Sequence, residues 1–63
     1  MKKLIGKKLL VSKSYYVSDI IEVIVVDAVE GNYGDLVKLQ RMGDDTTFWE
    51  RVKNIKIEKI YDN

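Results

Sequence analysis

The sequence predicts an all-β chain of five short strands, and three observations carry that expectation. β-Branched residues crowd the run "DIIEVIVVDAVE" from Asp19 to Glu30, and such side chains fit a pleated strand better than a helix. Turn-forming residues recur at Gly31-Asn32 and at Gly43-Asp44-Asp45, where Gly, Asn and Asp accept the backbone angles of tight turns. Near the C-terminus Ile55-Lys56-Ile57-Glu58 alternates apolar with charged, the period of a half-buried strand.

Taken in order, "KKLLV" reads as a first strand over residues 7–11, and "SKSYYVSD" as a long polar-aromatic loop. The second strand covers 20–29. With Gly31-Asn32 as a two-residue loop, a return strand over 34–42 places Val26 opposite Val37 and Ile24 opposite Leu39, so that apolar faces apolar. Gly43 to Asp45 turn the chain into a fourth strand over 46–51, "VKN" interrupts it as a 3₁₀ turn, and a fifth strand spans 55–60. A helix over 50–61 is the rival for this last region. Val52, Ile55, Ile57 and Ile60 do not fall on one 3.6-residue stripe, so the strand is preferred.

Two features resist a simple half-buried sheet. The second strand is apolar on both sides: Ile20, Ile24, Val26 and Ala28 supply one, Ile21, Val23, Val25 and Val29 the other. Val23 and Val25 are therefore expected to be covered, by the Tyr15-Tyr16 loop, the N-terminal segment or another subunit, because monomers rarely leave large apolar patches wet. The second feature is Phe48-Trp49, adjacent aromatics that a pleat must send to opposite faces. Pairing Glu50 with Lys38 turns Phe48 outward and Trp49 inward. Shifting the hairpin by one residue pairs Phe48 with Leu39 and reverses the two. The sequence leaves both registers open.

Composition bounds the function. A chain of 63 residues is a single domain, residues 1–63, that buries only roughly 60% of its unfolded surface. It has no Cys and no His, which removes disulfides, most transition-metal sites and the usual general bases and thiol nucleophiles. Ser12, Ser14 and Ser18 have no partner base, and Asp44-Asp45 reads as turn chemistry rather than a metal pair. A non-catalytic protein without cofactors is expected. Lys7 and Lys8 interrupt the opening "MKKLIGKKLL" before a signal-peptide apolar run develops, and no segment has the length of a membrane span, so a cytoplasmic location is expected.

Charge is segregated within a net of +1: residues 1–18 carry five lysines and no acid, 19–50 eight acids against Lys38 and Arg41, and 51–63 four bases against two acids. If the first and last strands are neighbours, Lys7 and Lys8 join Lys53, Lys56 and Lys59 in a patch able to neutralise phosphates, with Trp49 or Tyr16 to stack on bases. The acidic middle and the scarcity of arginine, two in all, make nucleic acid the second reading.

The order of strand, loop, three strands joined by tight turns, a 3₁₀ turn and a last strand resembles the SH3-like small β-barrel. "TTFWER", "VKN" and "IKIEKI" stand in the positions of its fourth strand, 3₁₀ turn and fifth strand. The resemblance implies a five-stranded barrel of the kind that small bacterial and phage proteins use for interaction or inhibition. Peptide-binding members line their groove with a Tyr-bearing first loop, a Trp, and a Pro and Tyr near the 3₁₀ turn. Here the turn holds Val52, Lys53 and Asn54, so proline-peptide recognition is not implied. The expected function is binding of a protein partner or self-association, with Tyr15, Tyr16, Tyr33 and Trp49 as contact residues, since Tyr and Trp are favoured interface anchors.

Overall fold

In the computed structural model, which describes residues 1–13 and 16–61 and the side chains outside 13–19, the chain is all-β. After a 3₁₀ turn at Lys2–Leu4 come β1 (Lys8–Lys13), β2 (Tyr16–Gly31), β3 (Gly34–Arg41) and β4 (Thr47–Arg51), then a second 3₁₀ turn at Val52–Asn54 and β5 (Ile55–Tyr61). The strands form one antiparallel sheet in the order β4-β3-β2-β1-β5. The expected strands, the 3₁₀ turn and the strand in place of a C-terminal helix are all present. The opening 3₁₀ turn was not foreseen.

The described residues of the expected first loop are strand. β1 runs on to Lys13 and β2 starts at Tyr16, and the two pair there. Tyr, Val and Ile between residues 16 and 21 are good strand formers, and extending the hairpin satisfies backbone groups that a loop would leave to solvent.

The β2–β3 hairpin also differs from expectation. Its loop is Asn32-Tyr33, with Gly31 opposite Gly34. The residue that takes positive φ is Gly34, at 116°, and neither Gly31 nor Asn32 does so. Val37 therefore faces Ala28, not Val26. Further along, the register slips between Val25 and Asp27, making Val26 a bulge, so that Leu39 faces Val25, not Ile24. A bulge adds one residue to one strand and so reverses the faces beyond it.

That reversal explains the doubly apolar strand. Leu9, Val11, Val23, Val25, Val37 and Leu39 form the fully buried core. Met1, Leu4, Ile21, Phe48, Val52, Ile55 and Ile57 pack against it. Val23 and Val25 are not a second surface needing a cover, because they are the centre of the core. The N-terminal segment pairs alongside Val25: Gly6 N–H donates to the Val25 carbonyl at 2.8 Å, and Val25 N–H to the Lys7 carbonyl at 3.1 Å. The residues left outside are Ile20, Val26 and Val29.

Candidate interaction surface

The β3–β4 register decides the two aromatics. Leu39 faces Phe48, Lys38 faces Trp49 and Val37 faces Glu50. Phe48 is half-buried against the core, and Trp49 stands on the outer face with 47% of its surface exposed. The cross-strand pairing of Glu50 with Lys38 does not occur. The shifted register wins because it carries the aromatic ring onto Leu39, whereas the other would have left a ring wet beside a buried leucine.

Trp49 has company on that face. By ladder position Val29 lies beside Leu36 and Leu36 beside Arg51, one step along from Asp27, Lys38 and Trp49. Val29 is 46% exposed and Leu36 38%. The Lys38 ammonium sits 5.9 Å from the Trp49 ring centre, a cation–π distance. The result is a small apolar surface across β2, β3 and β4, bounded by Asp27, Lys38 and Arg51. Tyr33, at the hairpin tip, is 96% exposed.

Of the four anticipated contact residues, Trp49 and Tyr33 are thus presented to solvent. Tyr15 lies outside the described residues. Tyr16 opens β2, and its side chain also lies outside them.

The lysine patch assembles in part. β1 and β5 pair with Lys8 opposite Tyr61, Leu10 opposite Lys59 and Ser12 opposite Lys56. Lys8 and Lys59 bring their ammonium groups to 4.9 and 4.7 Å from the Tyr61 ring centre. Two carboxylates sit among these cations. Glu22 takes Lys8 at 2.7 Å, and Glu58 lies 3.9 Å from Lys56 while accepting the Ser12 hydroxyl at 3.0 Å. The hydrogen bond and charge of Glu22 raise the Lys8 pKa above its usual value. Lys7 precedes β1, where its N–H donates to the Leu4 carbonyl at 2.9 Å. Lys53 belongs to the second 3₁₀ turn, which packs on β3.

Asp44 works within its turn. Its carboxylate accepts the Thr46 N–H at 3.1 Å and the Thr46 hydroxyl at 2.9 Å, and these bonds hold its pKa below the usual carboxylate value, with Arg41 adding a small effect. A shallow cleft of about 450 Å³ opens beside this turn, lined by Leu10, Ile20, Ile21, Glu22 and the turn residues Arg41 to Gly43. No helix among the described residues is long and apolar enough to cross a membrane. No family model, no curated protein and no solved structure matches this chain.

Proposed function

We propose that this chain is a non-catalytic interaction module whose five-stranded sheet curls as an SH3-like small barrel, and that it binds a protein through the outer face of β2, β3 and β4. One observation carries the reading: the strand registers gather Val29, Leu36 and Trp49, each more than one-third exposed, on the face opposite the buried core residues Val37 and Leu39. Apolar and aromatic residues grouped with a charged rim are the usual composition of an interface centre. The test is affinity capture with two baits of equal fold by circular dichroism, the native chain and the Leu36→Asp variant. The reading predicts proteins retained by the native chain and lost on the variant. An identical retained set from both baits would overturn it.

The convergence of Lys8 and Lys59 on Tyr61 favours nucleic acid as the second reading. Glu22 and Glu58 weigh against it, since they pair with Lys8 and Lys56. It predicts binding to duplex DNA that weakens steeply with salt, with a log–log slope of about −0.9 per phosphate contacted, and further loss in Lys59→Glu. No binding at low ionic strength eliminates it.

A further inference from the structure

We infer that the open edge of β4 is a strand-addition site for a second copy of this chain, the two β4 strands pairing antiparallel about a twofold axis at Trp49. The inference goes beyond the reading above, since it concerns the β4 edge beside the proposed face and not the face itself.

The sheet order leaves two edges, β4 and β5. β5 is guarded in ways that discourage pairing. Its register against β1 slips between Leu10 and Val11, a bulge at Glu58, and it carries Lys56 and Lys59. β4 is a regular five-residue ladder against β3 with no slip.

Ladder geometry then fixes which backbone groups of β4 are outward. Arg41 N–H donates to the Thr46 carbonyl at 2.7 Å. Bonded and non-bonded pairs alternate in an antiparallel ladder, so the pairs that exchange bonds are Leu39/Phe48 and Val37/Glu50. The N–H and C=O groups of Thr47 and Trp49 and the N–H of Arg51 therefore point to the open side, while the Arg51 carbonyl caps the 3₁₀ turn that follows.

Only one symmetric register uses all three residues. With Trp49 opposite the partner copy's Trp49, the Trp49 pair exchanges two bonds and each Arg51 N–H donates to a Thr47 carbonyl, about four hydrogen bonds in all. Moving the register two residues one way leaves about two bonds and sets Glu50 against Glu50, and moving it two residues the other way keeps about four but parts the two Trp49 rings, losing their cross-strand aromatic pair. Moving by one would turn the inner face of one copy outward on the other.

The Trp49 register is also compatible in charge. The outer-face row reads Asp27, Lys38, Trp49, then the same residues in reverse across the axis. Two rings meet at the centre, each beside a lysine, and no like charges are opposed. The neighbouring row sets Arg51 against Thr47. The exposed apolar face of each copy thus becomes half of one continuous surface.

Three measurements test this. Sedimentation equilibrium should show a dimer whose association is lost when the Trp49 backbone nitrogen is methylated by chemical synthesis. That change removes an outward N–H and leaves every side chain in place. Because the chain has no cysteine, single-cysteine variants read the register directly. Trp49→Cys should oxidise to a covalent dimer, its Cα atoms lying about 5.5 Å apart in a bonded pair. Arg51→Cys, offset from the axis, should not. A chain that is monomeric at millimolar concentration overturns the inference, as does a dimer indifferent to N-methylation, or Arg51→Cys cross-linking as readily as Trp49→Cys. The Leu36→Asp capture experiment leaves the edge backbone intact. Loss of captured proteins in a strictly monomeric chain would therefore sink the dimer and preserve the interaction face, and the converse pattern would do the opposite.

Discussion

At the scale of single residues, the contrast between Phe48 and Trp49 shows how much hangs on one step of register. The sequence establishes that the two rings diverge. Which one enters the core depends on whether Leu39 or Lys38 faces Phe48, and both pairings are locally plausible. Gly34 is a similar case: "EGNYG" announces a turn, but the glycine that takes positive φ is the last of the stretch, and two-residue periodicity cannot tell which. These positions yield two expectations. Leu39→Ala, at a fully buried site, should cost about 2–5 kcal/mol in denaturant unfolding, a large fraction of the stability of a small domain, whereas Trp49→Ala should leave the monomer fold intact. Asp44 supplies a pH dependence. Its folded pKa lies below the ordinary 3.8, so its contribution to stability is complete above that value and is lost as pH falls through the folded pKa. The melting temperature of Asp44→Asn should accordingly fall less than that of the native chain on acidification from about pH 6 to 2.

Among the elements, those with an unbroken pattern were legible and those with an irregularity were not. The alternation of Ile55 to Glu58 gave β5, and "VKN" gave the 3₁₀ turn. β2 was legible as a strand but not as a core element with a change of face. Its β-branched residues on both sides are what a bulge requires, since each half must present an apolar face in a different phase. The pattern before Val26 puts Val23 and Val25 inside, and after it Ala28 takes over. Deleting Val26 would remove the bulge and leave a regular ladder, in which Asp27 follows Val25 directly and Val25 and Ala28 stay on the inner face. The expected outcome is a chain that still folds and unfolds cooperatively, read by far-ultraviolet circular dichroism, and a deletion mutant that fails to fold would overturn the bulge assignment. Val25→Asp should unfold the chain outright, because an unpaired carboxylate has no partner in this core.

For the molecule as a whole, segregation of charge along the sequence does not survive as segregation in space. The basic first strand and the basic last strand do adjoin. β2 is nevertheless the other neighbour of β1, so Glu22 of the acidic middle is delivered to Lys8. The lysine cluster is therefore more nearly neutral than its sequence promised. The interaction face was legible as residue types, through Trp49 and Tyr33, but not as a place, since Val29 and Leu36 join Trp49 only through two successive registers. One further consequence follows from the length of β2. Its first half is bonded to β1 and its second half to β3, and only Val23 and Ile24 have a strand on each side, with Lys7 extending the double cover to Val25. Two hairpins thus share three residues of a single strand, and neither can be released without disturbing them. Amide hydrogen exchange should be slowest there, decaying outward in both directions along β2, so that these three amides report the opening of the entire chain while the two strand ends open on their own clocks.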